Sequence, residues 1–247
     1  MYINTKSGIK EPKDLKGKRV GTPEYQNLVT AAVWQRGIME DEFGVPITDV
    51  EFFSGAMEPS ATERKSKLAH DLPAGVKVTQ IQPGQNLSQM LADGKLDAIF
   101  SATKPSTFDT SPDVQHLFPN FKQVEADYYR RTRIFPIMHT VAIKRDVYNA
   151  NPWIAKALTK AFAKSMEIGR QALEERAALK YMLPWLEDHL RETKHLMRES
   201  VYWKDGFHEN RHVIDKFLDY HYAQGLSKRR FDAEELFAPS CLEDFVI

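Results

Sequence analysis

Three stretches of this chain place chemically capable side chains at spacings that matter. In the first, Lys18-Arg19-Val20-Gly21 and then Thr22-Pro23-Glu24-Tyr25-Gln26 read as a strand, a glycine and a helix start. Thr22 stands where it can cap that helix, and Pro23 suits its first turn. Backbone N–H groups at such a start, aligned with the helix dipole, attract a carboxylate or a phosphate. A plain helix cap accounts for the same residues, so spacing alone leaves both readings open. Neither a G-x-G-x-x-G dinucleotide fingerprint nor a P-loop is present.

The second stretch runs from Tyr128 to His139 and sets Arg130, Arg131, Arg133 and His139 around an apolar segment that reads as a strand over Ile137 to Ile143. Arginine grips a carboxylate through two parallel hydrogen bonds, and imidazole passes protons near neutral pH. A surface arginine cluster beside a hydrogen-bonded histidine is the plainer account. The third stretch, His208-Glu209-Asn210-Arg211-His212, matches H-E-x-x-H, which on a helix offers two histidines to zinc and a glutamate as base. Three features weigh against zinc. Gly206 leaves His208 at or before the helix start, Asn210 and Arg211 are polar where a buried metal helix wants apolar residues, and the longer G-x-x-H continuation is absent at Asp215 and Leu218. No metal or cofactor is therefore expected.

The elements that must position these residues are legible in part. Over the first third, short apolar runs alternate with helical patterns, as in βαβ units with a mainly parallel sheet. Strands are predicted at Tyr2 to Asn4, Arg19 to Gly21, Val50 to Phe53, Val76 to Ile81 and Leu96 to Ser101. Helices are predicted near Tyr25 to Met39, Ser60 to His70 and Leu87 to Ala92, the last ended by Asp93-Gly94. From Asn151-Pro152 onward the pattern is helical, and a further amphipathic run ends at Gly225. These patterns divide the chain into a segment 1–13, an α/β lobe over 14–102 that carries the anion-facing loop, and a remainder over 103–247 with a helical end.

Composition narrows the function classes. Lys plus Arg and Asp plus Glu each number 34 in 247 residues, so no broad field is available to hold nucleic acid or an anionic membrane. An anion must be captured locally. Cys241 is the only cysteine and cannot form an intrachain disulfide, which suits a reducing compartment. No window approaches the ~18 apolar residues of a membrane helix, and the first six residues lack a signal-peptide pattern, so a cytoplasmic location is expected.

Several blocks together carry a family resemblance. Ser7-Gly8-Ile9, Asp14 to Gly21 and Met90 to Ala98 resemble the second lobe of type II periplasmic-binding-protein-like folds. More specific are Pro23-Glu24-Tyr25-Gln26, Leu117-Phe118-Pro119, Arg131-Thr132, Ile134 to His139, Arg145 to Tyr148, Asn151-Pro152-Trp153, Asn210-Arg211-His212 and Glu235 to Pro239. Spread over nearly the whole chain, they resemble the 4,5-dihydroxyphthalate decarboxylase family. The resemblance implies a two-lobed α/β fold with mainly parallel sheets flanked by helices, its first lobe lacking an N-terminal strand-helix-strand portion. Arg133 departs from the pattern, standing where that family is expected to carry glycine.

The implied chemistry is cofactor-free, cytoplasmic loss of one carboxyl group from a dihydroxylated benzene dicarboxylate, a step of phthalate-type aromatic catabolism. It needs a cationic anchor, a base for a phenol and an acid for a ring carbon. On matched positions, Arg131 is the expected anchor, helped by the N–H groups of Glu24 to Gln26. His139 is the expected proton donor and Glu24 the phenol base. Thr22, Tyr25, Gln26 and Lys104 are expected to bind and orient the substrate, with Arg211 and His212 as second candidates. A small aromatic carboxylate is the expected partner, without nucleic acid or membrane, and assembly as a homo-oligomer stays open. The competing classes are a solute-binding protein for an aromatic or organic acid and, behind it, a zinc hydrolase using His208, Glu209 and His212.

Overall fold

A computed structural model describes residues 1–23, 25, 30–59, 71–198 and 203–242. The helix predicted over Ser60 to His70 and the residues Glu24 and Gln26 lie outside the described residues. The chain divides into two compact units. The first comprises Met1–Phe121 and Phe217–Arg230, and the second Lys122–Lys216 and Phe231–Ile247.

The first unit is built on one six-stranded sheet. Its strands are β1 (Tyr2–Asn4), β2 (Arg19–Thr22), β3 (Glu51–Ser54), β4 (Lys77–Gln80), β5 (Ala98–Ile99) and β6 (Val114–His116), in the spatial order β4-β3-β2-β5-β1-β6. The β4, β3, β2 and β5 neighbours run parallel, whereas β1 is antiparallel to both β5 and β6. The five predicted strands of this unit are present: β1 has the expected ends, β2 is one residue longer, β3 is shifted by one residue, β4 and β5 are trimmed, and β6 is an addition. Both faces of the sheet are covered by apolar side chains, as a largely parallel sheet requires. Ile3, Val20, Phe52, Ala98 and Phe100 enter one buried cluster, while Tyr2, Ile99, Leu87, Leu91 and Leu96 enter another. Adjacent residues such as Ala98 and Ile99 fall in opposite clusters because successive strand side chains alternate faces.

Two helices connect these strands among the described residues. Helix α1 (Thr30–Phe43) follows β2, and α2 (Leu87–Ala92) precedes β5. Asn86 caps α2 by accepting from the Gln89 N–H at 2.9 Å, and Gly94 just beyond its end takes φ of 71°, the left-handed turn that glycine enters freely. Arg19 and Asp97 join the starts of β2 and β5. The Arg19 backbone N–H donates to Asp97 Oδ2 at 2.9 Å, Nε donates to the same oxygen at 3.0 Å, and the guanidinium reaches Oδ1 at 2.8 Å. Burial alone would raise the Asp97 carboxyl, but the hydrogen bonds from Arg19 overcome it and hold the group below the ordinary carboxylate range. A carboxyl held down in the folded state stabilises above its unfolded pKa, and that contribution is lost as pH falls through the folded value. Asp97→Asn is therefore expected to cost about 1–2 kcal/mol near neutral pH and to flatten the acid limb of stability. Thermal melts between pH 7 and 3 check this: equal acid slopes for both proteins would contradict it.

The second unit is helical among its described residues. Helix α3 (Phe121–Thr132) enters it, followed by α4 (Arg145–Ala150), α5 (Ile154–Glu174) and α6 (Leu186–Met197). The last helix, α7 (Phe207–Ala223), has its residues divided between the units after Lys216. The strand predicted over Ile137 to Ile143 is not formed, for residues 133–144 carry no regular structure. An alternating pattern becomes a strand only where a neighbour accepts its ladder bonds, and all six described strands pair within the first unit.

Candidate functional site

The strand order of the first unit contains a reversal. From β2 the chain moves outward to β3 and β4 on one side, then returns to lay β5 against the other side of β2. In open parallel sheets ligands gather at such a switch point, beyond the carboxyl ends of the strands. Here those ends carry Thr22 from β2, Ser54 from β3 and Ser101 just after β5, and all three side chains are buried. The Gly21–Tyr25 stretch leaves β2 at this point.

The sheet tolerates this arrangement because of Gly21. A Cβ there would lie 2.8 Å from Leu96 Cδ1 and 3.2 Å from Leu87 Cδ2, so the bare backbone is what lets α2 seat beneath the strand. Beyond it, the Tyr25 backbone N–H donates to Ser54 Oγ at 3.0 Å, tying the loop to the neighbouring strand. Thr22 is fully buried, and its Oγ1 has no hydrogen-bond partner among the described residues. Buried hydroxyls are normally partnered, so an unsatisfied one at a switch point makes Thr22 a candidate contact for a polar group.

Tyr25, expected to help orient the substrate, is buried. Its ring lies in the apolar core, 5.1 Å from the Phe52 ring, with the Arg36 guanidinium carbon 4.0 Å from its centroid. Burial pushes its phenol above the usual range, and the Arg36 charge offsets this only in part, so the hydroxyl remains protonated at neutral pH. Arg36 itself is 1% exposed. Burial pulls it down to about 10, with Tyr25 opposing the shift, yet it stays charged under ordinary conditions. Its Nε donates to Gln224 Oε1 at 2.7 Å, and Gln224 Nε2 donates in turn to the Val33 carbonyl at 2.9 Å. Holding a cation there with no carboxylate paired to it among the described residues costs a few kcal/mol. Nothing in the local pattern of α1 marked Arg36, because a lone arginine on an amphipathic helix ordinarily faces solvent.

The remaining expected residues are divided between the two units. Lys104 is exposed, forms an ion pair with Asp109 at 2.5 Å and lies over the Phe108 ring. In the second unit, Arg131 is exposed in the last turn of α3, where the helix dipole favours a cation. His139 is exposed on the irregular stretch 133–144. Arg211 pairs with Asp215 at 3.3 Å and with Glu234, interactions that raise its already high pKa, Glu234 contributing most. His212 donates from Nε2 to the Arg133 carbonyl at 2.9 Å, which fixes the proton on that nitrogen because a carbonyl can only accept.

Arg133 occupies a backbone position that suits glycine. It has φ of 58°, directly after α3, where its N–H donates to the Tyr129 carbonyl at 2.8 Å. That is the left-handed position where glycine is favoured, and a side chain there costs roughly 1–2 kcal/mol. The side chain recovers a similar amount: its guanidinium stacks 4.8 Å from the Tyr129 centroid and donates to the Met197 carbonyl at 3.0 Å.

The H-E-x-x-H stretch does not converge. Helix α7 starts at Phe207, Glu209 approaches Lys204 at 3.5 Å, and His212 is committed to Arg133. Among the described residues no three His, Cys, Asp or Glu side chains cluster to hold a metal ion. No described helix is long and apolar enough to cross a membrane.

No protein-family model matches the chain. Among curated proteins it is 40% identical over 248 residues to 4,5-dihydroxyphthalate decarboxylase of Comamonas testosteroni, a match that takes in 100% of this chain and 74% of that protein. It is also 40% identical over 131 residues to 4,5-dihydroxyphthalate decarboxylase of Pseudomonas putida, covering 53% of this chain and 49% of the relative. With the full chain matched at this identity, it belongs to the 4,5-dihydroxyphthalate decarboxylase family of carboxy-lyases.

Proposed function

We propose that this chain removes one carboxyl group from 4,5-dihydroxyphthalate as CO2, leaving protocatechuate. The observation that carries the reading is the full-chain match at 40% identity to a protein of that name. The substrate's own chemistry supports a reaction without an electron sink. Each carboxyl group lies para to a hydroxyl, so removing the phenol proton pushes electron density onto the carbon that bears the carboxylate. A proton then adds to that carbon. The bond to the carboxylate breaks, its electron pair restores the aromatic ring, CO2 departs, and the phenolate takes a proton back.

The residues are assigned by what each step needs. Arg131 is the anchor for the retained carboxylate, and His139 supplies the proton to the ring carbon. Glu24 is the phenol base, and Thr22 with the backbone N–H groups from Glu24 to Gln26 binds oxygen atoms of the substrate. Tyr25 is an orienting residue for the substrate. Lys104 contributes positive charge, and Arg211 and His212 stand as second candidates for substrate binding. The family's two-lobed, type II periplasmic-binding-protein-like arrangement, with 14–102 as one lobe, is the frame proposed for these roles.

The test is direct. Purified protein incubated with 4,5-dihydroxyphthalate is expected to release one CO2 per protocatechuate formed, at a rate unaffected by a chelator. Thr22→Val, which keeps shape and removes the hydroxyl, is expected to raise KM about 5- to 30-fold while leaving kcat within about threefold. Tight binding of the dicarboxylate without CO2 release would favour a solute-binding protein, and loss of activity with chelator would favour a metal enzyme.

A further inference from the structure

Arg36 has no part in the assignments above, yet its placement is costly and specific. It is a cation in the core of the first unit, and among the described residues no carboxylate pairs with it. Its NH1 nitrogen is buried without a hydrogen-bond partner. A methionine or leucine would fill comparable space in α1 with no charge to desolvate, and such replacements of buried ionic groups are often neutral or stabilising. Packing alone therefore does not account for an arginine here.

What the arginine contributes points to the loop after β2. The guanidinium plane is held by Gln224, whose Nε2 is anchored to the Val33 carbonyl of the same helix. Its carbon sits 4.0 Å from the centroid of Tyr25, the one described residue between Pro23 and Thr30. Tyr25 is thus fixed from three directions: by Phe52 on its ring, by Ser54 on its N–H and by Arg36. Gln224, a neutral acceptor, keeps the cation in place without cancelling it. An uncancelled charge in low dielectric projects its field to nearby groups, whereas a paired one does not.

We propose that Arg36 is a specificity-determining residue, a buried cation that positions Tyr25 and biases the carboxyl end of β2, where Thr22 and Tyr25 stand, toward an anionic ligand. The inference rests on the reading of the loop after β2 as the substrate's binding loop. At an effective dielectric of about 20, a unit charge roughly 10 Å away changes the affinity for a singly charged anion by roughly tenfold.

Two variants test it in steady-state decarboxylation of 4,5-dihydroxyphthalate, with Thr22→Val assayed beside them. Arg36→Met removes the charge and keeps the bulk. It is expected to raise KM about tenfold or more with kcat within about threefold, and to melt no lower than the parent. Gln224→Glu keeps an acceptor for Arg36 but supplies the missing countercharge, so it is expected to raise KM several-fold in a protein of intact stability. Should Arg36→Met fail to fold, Gln224→Glu decides alone. A KM within twofold of the parent for Gln224→Glu, or for a folded Arg36→Met, overturns the proposal, since a purely structural residue predicts that result. If Thr22→Val raises KM and the Arg36 and Gln224 variants do not, the role of Arg36 fails while the loop reading stands. An unchanged KM for Thr22→Val removes the loop reading, and the proposal with it.

Discussion

Replacing His139 with alanine is expected to lower kcat for 4,5-dihydroxyphthalate by about 10²- to 10⁴-fold and to leave KM within about threefold of the parent. The expectation follows from the step at which the proton is needed. Carbon is a poor base even in an electron-rich ring, so an acid must already be in place when electron density reaches the carboxyl-bearing carbon. An interaction made at that moment and not in the ground state appears in kcat. His139 is exposed, with no regular structure around it, so its loss leaves no cavity and should not disturb folding. Exposure also opens a second readout: added imidazole is expected to restore part of the lost rate in His139→Ala, which a folding defect would not allow. His116 provides the control. It is a half-buried histidine of the first unit packed on the rings of Tyr2, Phe108 and Phe121, and its replacement should change stability more than kcat. Wild-type turnover by a folded His139→Ala protein would remove His139 from the reaction.

How far the sequence predicted this structure depends on whether a feature is decided locally. Strands such as Arg19–Thr22 and Glu51–Ser54 were legible because each is a short apolar run bounded by turn or helix signals. At Gly21 the strand and its glycine were legible for the same reason, but the helix cap expected at Thr22 is not formed: Thr22 ends β2, its Oγ1 has no partner among the described residues, and α1 is described only from Thr30. β6 was not legible, since Val114-Gln115-His116 has one apolar residue and is a strand only because Tyr2, Ile3 and Asn4 pair with it. Ile137 to Ile143 shows the converse: its apolar residues read as a strand, and the segment carries no regular structure. Helix α3 was hidden by its polar composition and buries none of its residues. Arg36 is the clearest case. Its burial is set by Gln224, 188 residues away, and no window of sequence contains both. The family resemblance reached further than periodicity because it draws on residue types at many separated positions, and the full-chain match bears it out. Arg133, a side chain where glycine was expected, has a left-handed backbone angle that glycine adopts freely.

The largest effect on stability is expected from a single methyl group. Gly37 lies in α1 where the helix meets Tyr220, and a Cβ on Gly37 would fall 2.3 Å from two atoms of that ring. The ring is poorly placed to give way. It meets the Trp34 indole edge-on at 89° with centroids 5.7 Å apart, and its hydroxyl donates to Asp41 Oδ2 at 2.6 Å. Alanine returns up to about 1 kcal/mol through its higher helix propensity, but overpacking a close contact costs about 1–3 kcal/mol and more where backbone must shift. The clash is therefore expected to win, with Gly37→Ala destabilised by about 2–4 kcal/mol and melting roughly 6–12 °C lower. Pairing the change with Tyr220→Leu, which thins the opposing side chain, should recover part of the loss and give a non-additive cycle. A Gly37→Ala protein that melts with the parent would mean that the Tyr220 ring moves freely. It would then also weaken the case for a fixed Arg36, because Gly37 is its neighbour in α1 and Gln224, its partner, lies one turn beyond Tyr220.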